Sequence, residues 1–269
     1  MPWILLNLRM MIRQAIEMTG NIFLVNIGVN SSHSAKSPIF SDRTFELLPI
    51  PENSSVVSDS SRTYADLPAY NAEYSELTHF LPKNWENKHC HNDPDLESFT
   101  YGDNCDRVPK AFGLRSVKEG DFLFFLARLE YYKADLFTGI AGFYLVGYLV
   151  IESVYKSLYQ KPSADVLSII EKNAHVQRAL DNSIFWDGFW VFRGSPQSQR
   201  LKFAVPFTLE FASQVLRQAN GSPWVASFKR SALQVIGSYT RTARCVINID
   251  TDTGIAASNA WWRMVSEYT

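Results

Sequence analysis

Asp93, Asp95 and Asp103 place three carboxylates on one short stretch, with the phenol of Tyr101 between the last two. A carboxylate there can accept from the exocyclic amine of a base, ligate a hard cation or serve as a general base. A ring beside an acid is the pairing with which a pocket holds an extruded base, by stacking and by hydrogen bonds to its edge. The same acids are equally what Asx turns and solvated loops use. The stretch therefore offers a binding or catalytic cluster, with a plain loop as the alternative.

A second polar group, Asn26, Asn30, Ser31 and Ser32, stands where an apolar run gives way to turn formers. Amides and hydroxyls both donate and accept, which suits the mixed edge of a base or a ribose hydroxyl; turn capping is the alternative. Arg193-Gly-Ser195-Pro196, followed by Arg200 and Lys202, makes a basic loop after an aromatic strand. That is where a backbone phosphate would meet a stacking surface, unless Arg193 instead pairs with an acid of the 93–103 loop. Trp186 and Trp190 are candidate cage walls, although in the apolar run from Phe185 to Phe192 at least one belongs to the core. His175, after Asn173-Ala174 at a helix end, either lines the same mouth or caps the helix.

His89-Cys90-His91 with Cys105 has the ligand types for zinc, but the spacing matches none of the common zinc arrangements. On a strand, Cys90 would also face away from both histidines. No metal ligand and no cofactor is assigned on this basis. The His-x-Glu and Pro-Cys-x-x-Cys pair of base deaminases is absent, and so are a phosphate-binding Walker loop and a dinucleotide fingerprint. No nucleophile elbow surrounds Ser31 or Ser32. No catalytic residue is assigned either.

The elements that would position these groups read from pattern. Ile22 to Val29 is an apolar run of strand length ending in Asn30-Ser-Ser-His33. Phe40 to Pro51 reads as another strand punctuated by proline. Glu52 to Tyr74, rich in Ser, Asp and Tyr, reads as an exposed excursion, and Lys83 to Asp106 as an ordered or flexible loop. Val117 to Leu129, with its Gly120-Asp121 turn, and Gly142 to Glu152 read as two buried strands. Pro162 and Ser163 cap a helix that puts Val166, Ile169 and Ile170 on one face. Helical spacing returns at Phe211, Val215 and Leu216 and again at Phe228, Leu233 and Ile236, with a break near Asn220 to Pro223. Trp261 and Trp262 are expected to cover the core.

Composition bounds the rest. At 269 residues, 46% hydrophobic and 20% charged, the chain buries a sizeable core in one or two domains. Its net charge of −1 conceals an asymmetry: residues 41–110 carry 13 acids against 6 bases, and residues 190–269 carry 9 bases against 4 acids. A polyanion should approach the C-terminal half, with paired or solvated faces as the plainer account. Three cysteines at irregular spacing build no disulfide framework and point to a reducing, cytoplasmic compartment. No run spans a membrane, and Arg9 and Arg13 interrupt the only N-terminal apolar stretch, so no signal peptide is expected. Residues 1–20 are expected to be an N-terminal extension, with Met18 an alternative start, and residues 21–269 a single domain.

Several stretches together resemble the nucleotide modification associated domain 3 family of archaea, bacteria and phages. They are Val25-Asn-Ile-Gly-Val-Asn-Ser-Ser-His33, Ser37-Pro-Ile-Phe40, Phe45-Glu-Leu-Leu-Pro-Ile-Pro-Glu52, Asn92-Asp-Pro-Asp95, Phe99-Thr-Tyr-Gly-Asp103, Gly120-Asp-Phe-Leu-Phe-Phe125 and Val191-Phe-Arg-Gly-Ser-Pro196. Their order along the chain carries the likeness more than any one of them. The resemblance implies the PUA-like superfamily of EVE, ASCH and YTH modules: an α+β fold on a mixed β-barrel, with packed helices and a long polar insertion over residues 52–110. It further implies binding of a free nucleotide or of a modified base in DNA or RNA, within a nucleic-acid modification system that could supply a protein partner. The runner-up is a base- or nucleotide-modifying enzyme using Asp93, Asp95 and Asp103.

Overall fold

The structure, a computed structural model, describes residues 20–53, 62–71, 73–74, 76–217, 222, 224 and 229–268. The N-terminal extension expected over residues 1–20 lies outside these apart from Gly20, as do Asn220 and Phe228. The strands are β1 (Ile22–Ile27), β2 (Ser37–Ile39), β3 (Ile50–Pro51), β4 (Cys90–His91), β5 (Thr100–Asp103), β6 (Phe122–Lys133), β7 (Leu136–Leu158), β8 (Phe189–Gly194), β9 (Gln199–Pro206) and β10 (Arg244–Ile247). The described α-helices are α1 (Ala164–Ile170), α2 (Ala174–Asp181), α3 (Leu209–Val215), α4 (Ala232–Tyr239) and α5 (Asp252–Tyr268).

β1 and β6 carry the unbroken apolar runs that strands buried on both faces require. Alternation then divides them between two cores. Phe23, Val25, Ile27, Leu123, Phe125 and Ala127 pack on one side, and Ile22, Leu24, Phe122, Phe124 and Leu126 on the other. The strands run parallel, from Ile22 opposite Phe122 to Ile27 opposite Ala127. Asp121 ties their starts together, accepting from the Asn21 and Lys118 N–H groups at 3.0 Å each. This is why a Gly-Asp turn precedes the strand.

β7 returns antiparallel to β6 through Ala134 and Asp135, whose φ of 50° and 59° supply the pair of positive values that a tight hairpin turn needs. Near Ile151 its register shifts, and the strand leaves β6 to pair with β8. β8 pairs with β5, and this arm folds back over the sheet. Tyr101 of β5 and Phe192 of β8 thereby join Phe125 in the first core, with Tyr101 5.7 Å from Phe125 between ring centroids. The other face of the sheet is covered by α3 and α5, whose fully buried Trp261 lies 5.0 Å from Phe124.

The strand path β10-β1-β6-β7-β8-β5 has two ends that do not pair with each other. The fold is mixed α and β as expected, but the sheet is curled and open, not the closed PUA-like barrel. At one end of the path stands β5, which is four residues long. Its outward Gly102 N–H donates to the Asp93 carboxylate at 2.8 Å, so a side chain takes the place another strand would need.

Two further expectations change. Phe40 to Pro51 is mostly loop, reaching strand only at its end in β3, and Arg43 adopts φ 70° within it. The described part of the 52–110 insertion is packed as well: Tyr64, Leu77, Phe80, Trp85 and Cys90 join Val29, Phe40 and Tyr132 in a third core. Its aromatics provide the apolar area that the polar composition hides. Among the described residues no helix is long and apolar enough to cross a membrane.

Trp261→Ala should lower stability by about 3–5 kcal/mol in denaturant unfolding. Leu136→Ala, at the exposed hairpin tip, should change it by less than about 0.5 kcal/mol.

Candidate functional site

The carboxyl end of β1, the β5 strand and α4 enclose a cleft of about 1000 Å³. Seven of the residues singled out from sequence line it: Asn26, Asn30, Ser31, Asp93, Tyr101, Asp103 and His175. Trp186, Arg193 and Ser195 do not. Trp186 is buried and stacks on Phe189, ring centroids 5.5 Å apart. Trp190 is also core, with its Nε1–H donating to Asp106 at 2.8 Å. Arg193 donates to the Ser98 carbonyl and lies 3.9 Å from Glu152, so its partner is not an acid of the 93–103 loop. Ser195 is a turn residue whose N–H donates to the Val150 carbonyl.

At the floor of the cleft a ring of titratable groups closes on itself. β3 and β4 pair with Ile50 opposite His91, which sets Glu52 beside His91; Glu52 Oε2 and His91 Nδ1 are 3.0 Å apart. Two residues on, Asp93 Oδ2 stands 3.8 Å from His91 Nε2 and 3.4 Å from His175 Nε2. Arg178, one turn along α2, donates to His175 Nδ1 at 3.0 Å and returns to within 3.8 Å of Glu52 Oε1. Asn173 holds two parts of the ring at once. Its Oδ1 accepts from the His175 N–H as the N-cap of α2, and its Nδ2 is 3.4 Å from Asp93 Oδ1.

Gly102 is the residue that permits this approach. A Cβ there would stand 2.6 Å from His175 Cδ2 and 2.9 Å from Asn173 Oδ1. Arg178 and Phe189 hold the His175 ring from its other sides, Phe189 at 5.4 Å between centroids. Behind α2, Ile170, Val176, Ala179 and Trp186 form a small core that presses the helix onto β8.

Burial and partners set the protonation states. Burial pushes the Asp93 carboxyl up to about 8, against the pull of His91 and the Gly102 N–H. Burial lowers His175 to about 3, and the proximity of His91 and Arg178 adds to the effect. Burial alone would raise Glu52, but the His91 hydrogen bond and the neighbouring positive charges outweigh it and hold the acid below its usual range. Arginine only donates, so His175 Nδ1 accepts and its neutral ring carries hydrogen on Nε2, facing Asp93. Ionised Glu52 only accepts, so His91 donates from Nδ1.

The other acids are divided. Asp95 is buried but organises its own loop, accepting from the Glu97 and Ser98 N–H groups and the Ser98 hydroxyl. Asp103 stays in the cleft, accepting from the Tyr101 hydroxyl at 2.9 Å. The Asn30 side chain accepts from the N–H and hydroxyl of Ser32, a turn motif at the rim. Asn26 donates to the Thr240 hydroxyl at 3.1 Å. The Cys90 and Cys105 thiols lie in different cores, which separates the residues considered for zinc. The groups of His91, Asp93 and His175 instead lie within 4.8 Å of one another.

The model of the nucleotide modification associated domain 3 family matches residues 21–237. The chain belongs to that family. No curated protein and no solved structure matches it. The match spans every member of the Asp93 ring, whose helical half is written as Asn173-x-His175-x-x-Arg178 and whose other half contains His91-x-Asp93. Glu52, Asn173 and Arg178 were not read as site residues from the sequence. The cap spacing of Asn173 and the one-turn spacing of Arg178 from His175 were the signals available.

The two shifted groups fix a pH response. His175, lowered from 6.5 to about 3, costs stability as pH falls from 6.5, because only the unfolded chain gains the proton. Asp93, raised from 3.8 to about 8, costs stability as pH rises from 3.8, because only the unfolded chain loses it. The slopes cancel between these limits, and above pH 6.5 the Asp93 slope stands alone. With a chelator present, stability should fall by about 1 kcal/mol between pH 6.5 and 8. Chemical denaturation of Asp93→Asn across the same range should show that decline removed.

Proposed function

We propose that this cleft binds a nucleotide, free or as a modified base in DNA or RNA, for a nucleic-acid modification system. The family supplies the association with nucleotide modification. The observation that supports binding is one concave space of about 1000 Å³ that combines a base-sized polar floor with a basic rim. Such volume, with a few convergent polar groups, is what small-ligand sites have.

The floor offers an acceptor at Asp103 and donors or acceptors at Asp93, Asn26 and His91, with the Tyr101 and Phe143 rings among the walls. Lys110, Arg128 and Arg241 also line the cleft. The Lys110 carbonyl accepts from the Ala243 N–H at 2.8 Å, which brings the backbones carrying Lys110 and Arg241 to one side. Neither side chain makes an ion pair among the described residues. Arg241 belongs to the basic C-terminal half. Phosphate at that rim and base at the floor is the arrangement the charges favour.

A second reading, a base- or nucleotide-modifying enzyme, is favoured by the ring around Asp93. Its acid and base would be Asp93 and His91, since Asp95 is committed to its loop.

Adenosine, cytidine, guanosine and thymidine monophosphates, plain oligonucleotides and hypermodified phage DNA should be titrated against the tryptophan fluorescence at several salt concentrations. At least one should bind. The Lys110→Ala/Arg241→Ala double variant should lose about tenfold or more in affinity and flatten the salt dependence. Wild-type affinity in that variant, or no binding by any probe, would refute the proposal.

A further inference from the structure

We infer that His91, Asp93 and His175 form a binding site for one divalent transition-metal ion. Its protein ligands are the Nε2 atoms of both histidines and Oδ2 of Asp93, and its remaining positions open to the cleft. The role of such an ion in nucleotide chemistry rests on the reading of the cleft given above; the binding of the ion does not.

Four observations carry this. First, three ligand-type atoms from three places, the end of β4, the loop after it and the first turn of α2, converge to within 4.8 Å of one another. The Asp93 to histidine separations are 3.4 and 3.8 Å. They approach the roughly 3–3.5 Å between ligands of one ion with metal bonds near 2.0–2.2 Å. Second, the outer partners are those a metal site uses. His91 turns Nδ1–H to Glu52 at 3.0 Å, the carboxylate–histidine pairing that leaves Nε2 for an ion. The Asp93 carboxyl is steadied by the Gly102 N–H, which donates to Oδ2 at 2.8 Å and to Oδ1 at 3.1 Å, and by Asn173 Nδ2, 3.4 Å from Oδ1.

Third, the backbone makes room for the convergence, since the Cβ of any other residue at position 102 would collide with His175 and Asn173 and approach Asp93 Oδ2 to 3.1 Å. Fourth, the donor set selects the class of ion. Two imidazoles and one carboxylate suit Fe²⁺, Co²⁺ or Zn²⁺, whereas Mg²⁺ and Ca²⁺ favour all-oxygen shells. Three protein ligands with open positions is the layout of catalytic rather than structural metal centres.

Arg178 sets the one adjustment required. While it donates to His175 Nδ1, the Nε2 atom carries the ring hydrogen and cannot ligate. Ion binding moves that hydrogen to Nδ1, and Arg178 turns toward Glu52 Oε1, now 3.8 Å away. Arg178→Gln, whose amide oxygen can accept from Nδ1–H, should therefore bind the ion as tightly as wild type or more so. A purely structural Arg178 would give the opposite.

The test is Co²⁺ titration of the metal-stripped full chain, followed by calorimetry and by the visible absorption of the bound ion. One Co²⁺ per chain is expected. Asp93→Asn, His91→Gln and His175→Gln should each weaken it by about a hundredfold or more, and Glu52→Gln by about tenfold, with circular dichroism confirming that each variant folds. Absence of Co²⁺ binding in the wild type, or undiminished binding in folded Asp93→Asn, would overturn the inference. Nucleotide titrations run with and without Co²⁺ separate the two claims. Nucleotide binding by a chain that takes up no Co²⁺ removes the metal site alone, and Co²⁺ uptake by a chain that binds no nucleotide removes the cleft reading alone.

Discussion

The Gly102 N–H donating to the Asp93 carboxylate is the contact on which the rest of this molecule turns. It satisfies an outward backbone donor on the outer edge of β5. It also draws a carboxylate out of water and holds it between two histidines. An unpaired backbone donor and an unpaired buried acid would each be costly. Meeting each other, they satisfy both needs at the wall of a polar cleft. Asn173 extends the same economy by capping α2 and reaching toward Asp93 with one side chain.

The surrounding fold keeps this arrangement rigid. β1, β6 and β7 are buried on both faces and divide their side chains between two cores. The β5–β8 arm is pinned over the first core by Tyr101 and Phe192, and α2 is pinned to the back of β8 by its own small core. His175 and Asp93 thus reach the cleft from elements fixed independently, which is how a polar constellation is preorganised.

Much of the scaffold was legible from the sequence because it rests on local pattern. The runs at Ile22 and Phe122, the Gly120-Asp121 turn and the helix after Ser163 are where periodicity and turn chemistry put them. The end of β1 was legible for the same reason, and Asn26, Asn30 and Ser31 do stand at the cleft. What escaped depends on partners far along the chain. Asp93 and Asn173 are 80 residues apart, and nothing local distinguishes Asp93, which meets a histidine pair, from Asp95, which serves its own loop. Trp186 and Arg193 looked suited to a ligand because aromatic and basic groups are what nucleotides need. Packing against Phe189 and a bond to the Ser98 carbonyl consume them instead. The closed barrel failed because strand order and the pairing of sheet ends depend on contacts far apart in the chain, which local pattern does not reveal.

The central claim is that the ring around Asp93 is the working floor of a nucleotide cleft. The most direct measurement follows the ring nitrogen and carbon NMR signals of His91 and His175 while a bound nucleotide is titrated in. The account predicts that both sets of signals move and saturate together with the Tyr101 and Asn26 resonances. Saturable binding that leaves both histidines unchanged, with shifts confined to another surface, would contradict it.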